Sequence, residues 1–273
     1  MSFGPTGLSG FGSKRRSAAG GAFTPASLTD SIWFDGSDVD TMWSDDVRAT
    51  PIADAVGVQE WQAKGGAASP LALINATSGQ RPVWNEAGGF LQFTSGNSSN
   101  LENTSQNLFG LSSSSMGQID HSIYMLADCA FSSYSFLGVD RSSTAGTQIG
   151  PLRFWSTTTY QPWHAIGGIG AAGTSLASAV TANTLSVFGV EVDDSTDDYI
   201  FYDETTPSSA LAQNTPGGTA SCDNFVLGCW WVYPSAKTYF FTGKIYQYVA
   251  VPYLLTTDER SDLVTWLKDV GGL

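Results

Sequence analysis

An all-β fold, an antiparallel sandwich or barrel, is what three features of this sequence predict. Short runs rich in aromatic and β-branched residues, such as TLSVFGVEVD, DYIFYDE and YFFTGKIYQYVAV, follow one another and are bounded by Gly, Asn, Asp and Ser. Aromatic residues make up 12% of the 273 residues and glycines number 30, a mixture suited to strands joined by tight turns. The clear helical pattern is held back to the C-terminus, where GKIYQYVAVPYLLTTDERSDLVTWLKD runs from strand into helix.

The chain begins with a separate compositional zone, MSFGPTGLSGFGSKRRSAAGGAFTPAS, residues 1–27. Gly, Ser and Pro dominate it, and Phe3, Leu8, Phe11 and Phe23 recur singly with neither helical nor strand period. Such a segment buries too little apolar surface to fold alone and is expected to order only against another molecule. Residues 1–29 hold Lys14, Arg15 and Arg16 and none of the 25 acids, so the rest of the chain carries 9 basic side chains and a net −16. An extended arm, 1–27, followed by one β domain, 28–273, is the organisation these features predict, since no internal repeat divides the remainder.

Within the domain the expected strands are SIWFDGSD, PLALINAT, FLQFTS, SIYMLADCAF, SFLGVD, PLRFWSTTT, TLSVFGVEVD, DYIFYDE, NFVLGCWWVY and YFFTGKIYQYVAV. In DYIFYDE, alternation sends Tyr199, Phe201 and Asp203 to one face and Ile200, Tyr202 and Glu204 to the other. Apolar residues on both faces place that strand inside a sheet covered on both sides, or on a face used for contact. Trp230 and Trp231, being adjacent, must point opposite ways. At the C-terminus, Thr256 and Glu259 have capping-box spacing. Asp258 and Glu259 suit the positive end of the helix dipole and Lys268 the negative end. Leu263, Trp266, Leu267 and Val270 form an apolar stripe, and Gly271 and Gly272 end the helix.

The closing segment, FTGKIYQY followed by LTTDERSDLVTWL, resembles the end of the concanavalin A-like, laminin-G-like jelly-roll superfamily. The opening SIWFDGSD, then QEWQAKGG and QRPVWNEAGGFLQF, are similar to that family's first strands, and NFVLGCWW to its penultimate one. The resemblance spans most of residues 28–270 and implies an antiparallel β-sandwich with a short C-terminal helix. A Gly/Ser-rich, Arg-containing arm ahead of such a domain is similar to what bacteriophage and phage-like particle proteins carry. It implies a virion structural protein, a fibre, spike or decoration subunit made in the host cytoplasm. The arm would dock on a capsid or tail protein, and the subunits would form a homotrimer. In that setting Lys14, Arg15 and Arg16 pair with acids of the partner while Phe3, Leu8, Phe11 and Phe23 fill pockets along an extended path.

Composition excludes several classes. A net charge of −13 argues against binding nucleic-acid phosphates. No apolar run is long enough to span a membrane. Twin arginines at 15 and 16 are followed by a stretch too polar for a signal h-region, so no export signal is read. Cys129, Cys222 and Cys229 form no CxxC and read as buried thiols.

Candidate chemistry is sparse. Retaining glucanases of the resembled fold place Glu-x-Asp-x-x-Glu along one strand. EVDDST supplies Glu191 and Asp193 but has Thr196 in the last position, so one carboxylate of the pair is missing and no enzyme is expected. His121 and His164 lack any GxSxG companion. Two acidic stretches, FDGSDVDTMWSDD and VDDSTDDY, offer oxygens for calcium but match no EF-hand loop, and solvated turns account for them. No cofactor is therefore expected. In RFWSTTTYQPWH, read as a loop, Trp155, Tyr160 and Trp163 stand among polar residues. They suit a sugar platform, a subunit interface or an ordinary core. Glycan binding, as a stand-alone lectin-like module or as the purpose of a displayed domain, is the alternative to the particle subunit.

Overall fold

A computed structural model describes residues 23–273 except position 46 and segments 66–70, 110–119, 131–134, 142–147, 155–159, 167–168, 173–182, 194, 197, 209–210, 213–223 and 233–235. At 135–141, 148–154, 160–166, 169–172, 199, 211–212, 230–232 and 236 it describes the backbone alone. The arm residues Phe3, Leu8, Phe11, Lys14, Arg15 and Arg16 therefore lie outside the described residues, as do Trp155 and Cys222.

Two antiparallel sheets make a sandwich of the jelly-roll type. The ten-stranded sheet has at its middle the strands Leu185–Asp193, His121–Cys129, Gly243–Val251 and Ile32–Asp35, in that spatial order. Asp198–Asp203 flanks Leu185–Asp193, and Phe90–Phe93 pairs with the start of Gly243–Val251. The nine-stranded sheet runs Ile169–Ala172, Tyr160–Ile166, Gln148–Phe154, Ser135–Arg141, Asn224–Leu227, Leu101–Asn103, Ala72–Ile74, Glu60–Gln62, Met42–Trp43. Trp230–Val232 and Ala236–Thr238 form a separate hairpin. The helix α1, Thr257–Gly271, is the only α-helix among the described residues, and none is long and apolar enough to cross a membrane.

Strand alternation explains the layering. All nine residues of His121–Cys129 are buried. Ile123, Met125, Ala127 and Cys129 join the core between the sheets with Phe34, Trp61, Phe188, Phe201 and Phe225. Tyr124 and Leu126 face the other way, into a second cluster with Val187, Tyr202, Val249 and the helix residues Leu263, Val264 and Leu267. A sheet covered on both faces needs apolar residues at both parities. DYIFYDE obeys this as expected, with Phe201 in the first cluster and Ile200 and Tyr202 at the second.

The helix is anchored as its sequence demands. Thr256 Oγ1 accepts from Glu259 N while the Glu259 carboxylate accepts from Thr256 N, a complete capping box. Gly272, at φ 68°, closes the other end in the left-handed region, so the stop falls one residue later than Gly271. The stripe differs from expectation: Val264 is buried in place of Val270, which is 41% exposed. Trp266 is partly buried and meets Trp33 edge-on at 5.7 Å between ring centroids. Phe23, grouped by sequence with the arm, also packs against this second cluster, and Leu28 is buried in it. Phe23 and the buried Pro25, on the arm side of the expected boundary at 28, thus lie against the domain.

One irregularity shifts the frame of the closing strand. Ile245 pairs with Ala127, yet Gln247 pairs with Leu126, so Tyr246 is an extra residue. Ile245 and Tyr248 face the inter-sheet core while Tyr246 and Gln247 fall together on the helix side. The carbonyl of Tyr246 accepts from Gly36 N at 2.8 Å, and a Cβ on Gly36 would sit 2.9 Å from that oxygen. Only glycine fits there.

Candidate binding face and the placement of the acidic side chains

The surroundings of Glu191 decide what its carboxylate can do. Glu191 is 3% exposed and lies on the helix side of Leu185–Asp193. Arg260, on the first turns of α1, donates from Nε to Oε1 at 2.9 Å and from Nη2 to Oε2 at 2.8 Å. Tyr124 and Tyr202 each donate a hydroxyl to the same carboxylate at 3.2 Å. The guanidinium also covers the Tyr202 ring at 4.4 Å and donates to the Leu255 carbonyl at 2.9 Å. Burial, together with the neighbouring Glu191 charge, pushes the Tyr202 hydroxyl up to about 12 and that of Tyr124 higher still. Tyr124 reaches its place because its cross-strand partner is Gly189, where a Cβ would stand 2.5 Å from the ring. A carboxylate satisfied by four donors beneath a helix is a fastener, not a nucleophile. Asp193, two residues on, accepts from Ser195 N, Ser195 Oγ and Thr196 N and shapes the turn.

The acidic stretches considered for calcium are engaged likewise. Asp35 accepts from Ser37 N at 3.0 Å, Ser37 Oγ at 2.6 Å, Gln247 Nε2 at 2.7 Å and Lys64 Nζ at 2.8 Å. Gln247 is within reach because of the bulge at Tyr246, and its Oε1 accepts from Trp33 Nε1 at 3.1 Å. Lys64 also bridges Asp38 and lies 4.6 Å over the Trp33 ring. Burial raises the Asp35 pKa, but the donors from Lys64, Ser37 and Gln247 outweigh it and the net shift is downward. An ammonium thus stands among these carboxylates. Asp45 accepts from Val47 N and Ala49 N and caps its own loop. Among the described residues no group of three or more His, Cys, Asp and Glu side chains could hold a metal ion.

The two outer faces of the sandwich differ. Helix α1 closes that of the ten-stranded sheet. On the nine-stranded sheet, register aligns Trp43, Glu60, Ile74, Glu102 and Val226 in one cross-strand row on the outer face. Trp61, Leu73, Leu101, Phe225 and Leu227, at the alternate parity, belong to the core. In the outer row Arg48 binds Glu60 at 2.7 Å and lies 5.4 Å over the Trp43 ring, while Lys237 binds Glu102 at 2.6 Å. Ile74 is 37% exposed.

Tyr160 and Trp163 are in this same sheet, on the strand Tyr160–Ile166 and not in the expected loop. Positions three apart on one strand have opposite parity, so the two do not share a face. Register carries position 163 to the outer face: Val226 pairs with Val139, Arg141 with Gln148, and Gly150 with Trp163. His164, at the alternate parity, pairs with Ile149 and Ala171. His121 is fully buried beside Phe109. Cys129 and Cys229 are buried free thiols whose pKa values burial pushes up.

Sequence reasoning missed Arg260 and Lys64 as organising residues. A signal was present for the first. Arg260 falls on the stripe of Leu263, Val264 and Leu267, and Glu191 interrupts the apolar run VFGVEV. Each misfit is the other's partner.

No family model matches the chain, and no curated protein is similar to it. It is similar to the solved structure of Ruminococcus gnavus IT-sialidase CBM40 bound to alpha2,3 sialyllactose, at 14% identity over 56% of this chain and 84% of that one, with a TM-score of 0.44. For the native heptameric SAP-like pentraxin from Limulus polyphemus the identity is 10% over 52% of this chain and 68% of that one, with a TM-score of 0.42. For the NanB sialidase from Streptococcus pneumoniae it is 14% over 53% of this chain and 24% of that one, with a TM-score of 0.44. With every score below 0.5, the fold assignment stands on strand order, register and the terminal helix.

Proposed function

We propose that the chain is a carbohydrate-binding module of lectin-like fold that acts by adhesion and not by catalysis. The asymmetry of the outer faces supports this most directly. One is covered by α1 over Leu185–Asp193 and His121–Cys129, and the other carries Trp43, the half-exposed Ile74 and the ion pairs of Glu60 and Glu102 along its strands. Flat rings beside hydrogen-bonding groups suit sugars, which offer a C–H face to stack and hydroxyls to orient. Glu191 and Asp193, the carboxylates that would have served hydrolysis, are held by Arg260, Tyr124, Tyr202 and the 193–196 turn. A glycan array probed with wild type and with Trp155→Ala and Trp163→Ala tests the reading. Binding that one of these variants loses is expected, and no glycan bound by wild type ends it.

Display of this module on a phage or phage-like particle is a second proposal, resting on the acid-free, basic arm with its singly spaced Phe3, Leu8 and Phe11. Deleting residues 1–22 is then expected to abolish particle incorporation and homotrimer docking to a capsid or tail protein, and to spare glycan binding. Normal incorporation of the shortened chain refutes the anchor.

A further inference from the structure

The outer face of the ten-stranded sheet continues past the edge of α1, and there it is aromatic. The helix lies over Leu185–Asp193 and His121–Cys129. Beyond it, parity and the bulge send Trp33, Tyr246 and Phe90 to the helix side, since Phe34, Ile245 and Leu91 belong to the core between the sheets. Phe90 meets the Tyr246 ring at 5.1 Å between centroids, and Trp33 meets Trp266 of the helix at 5.7 Å. All four rings are half-buried, and Val83, paired with Gln92 on the same side, is 38% exposed. Lys64 stands over Trp33 and Lys244 over Phe90, each already bound to an aspartate. A contiguous floor of rings at the surface calls for an apolar cover.

The chain enters the domain at the rim of this floor. Phe23 packs against the same cluster as Trp33, Tyr246 and Trp266, and Leu28 is buried in it. From Phe11 to Phe23 an extended chain spans about 40 Å, whereas Trp33 and Phe90 lie about 10 Å apart across two strand spacings. Reach is ample. Charge agrees with it. On α1, Asp262, Trp266 and Asp269 stand at i, i+4 and i+7, so two exposed carboxylates flank the ring that faces Trp33. The cations of α1 are turned beneath it, Arg260 to Glu191 and Lys268 to Glu204. Lys14, Arg15 and Arg16 are the charged side chains of residues 1–29, which hold no acid.

We infer that residues 1–22 dock on their own subunit, with Phe11 and the apolar residues before it over Phe90 and Tyr246 and the basic triplet beside Asp262 and Asp269. This departs from the expectation that another molecule must order the arm. The subunit's own arm is favoured over a neighbour's because Phe23 fixes its root at the floor. A tethered segment meets such a site at an effective concentration in the millimolar range. Singly spaced apolar residues suit an extended segment crossing a sheet face, where a helix would need a stripe. The inference is independent of the carbohydrate reading. It bears on the second proposal above, since a capsid or tail protein that takes the arm must first draw it off this floor.

Crosslinking and footprinting on the purified full chain test it. With Phe11 replaced by the photoreactive p-benzoylphenylalanine, irradiation should join the arm to peptides containing Phe90, Tyr246 or Trp266. In a mixture of isotopically heavy and light chains, those products should join residues of one chain. Hydroxyl-radical oxidation of Phe90 and Tyr246 should rise at least twofold in high salt, and likewise in the triple variant Lys14→Gln, Arg15→Gln, Arg16→Gln, while Trp43 on the opposite face keeps its rate. The surface variant Asp262→Asn with Asp269→Asn should give the same rise. Crosslinks between heavy and light chains overturn the inference in favour of arm exchange between copies. Crosslinks to none of these peptides, or oxidation rates that neither the triple variant nor salt alters, overturn it outright.

Discussion

The two outer faces of this sandwich put charge to opposite uses. Beneath α1, the Glu191–Arg260 pair is sealed: the arginine side chain is 14% exposed and the carboxylate meets two tyrosine hydroxyls as well. On the nine-stranded sheet the Arg48–Glu60 pair buries its carboxylate as deeply, but its arginine is 47% exposed and stacked on Trp43 at the surface. A sealed pair fixes the position of an element, since breaking it strands a charge away from water. A pair whose cation stays in water fixes position less firmly, because solvent screens it and can take the arginine's place beside the carboxylate. Where a carboxylate and its cation lie therefore matters more than how many acids there are.

Arg260→Ala probes that contrast hardest. It should cost about 3–5 kcal/mol by urea unfolding, because Glu191 is left buried without its cation. Combining it with Glu191→Leu should recover part of the loss, and an Arg260→Ala cost below that of Arg48→Ala would reverse the comparison. Gly189→Ala should cost about 1–3 kcal/mol, since the added methyl collides with the Tyr124 ring that helps hold Glu191.

The pH dependence sharpens the same point from both sides. Tyr202 titrates near 10 unfolded and at about 12 folded, so its contribution is full below about pH 10 and is lost as pH climbs toward 12. Tyr202→Phe should flatten that alkaline limb in urea midpoints measured against pH. Asp35 is shifted downward, so its contribution is full above about pH 4 and declines as the solution becomes more acid. The smallest effect expected is Thr256→Ala, about 1 kcal/mol, from loss of the cap alone.

Local chemistry was legible in the sequence and pairing chemistry was not. Thr256 and Glu259 announce the helix start because a capping box is made within four residues. DYIFYDE announces a doubly covered strand through its alternation. Val264 displaced Val270 because the side of the helix facing the sheet is chosen by Val187, Val249 and Tyr124, far away in sequence. The bulge at Tyr246, which brings Gln247 to Asp35, appears only when two strands are aligned. Tyr160 and Trp163 were read as loop residues because Thr, Gln and Pro surround them. Their strand is specified by hydrogen bonding to Gln148–Phe154 and Ile169–Ala172, which no run of letters displays.

The strand Gly243–Val251 lies between His121–Cys129 and Ile32–Asp35, yet every other strand precedes it along the chain. On the ribosome, nine strands of the ten-stranded sheet would therefore emerge with a vacant central slot and two exposed edges. Such a nascent intermediate presents unpaired edges that favour strand exchange between neighbouring copies. Premature stop codons anywhere before residue 243 should accordingly yield insoluble product and not a smaller folded protein.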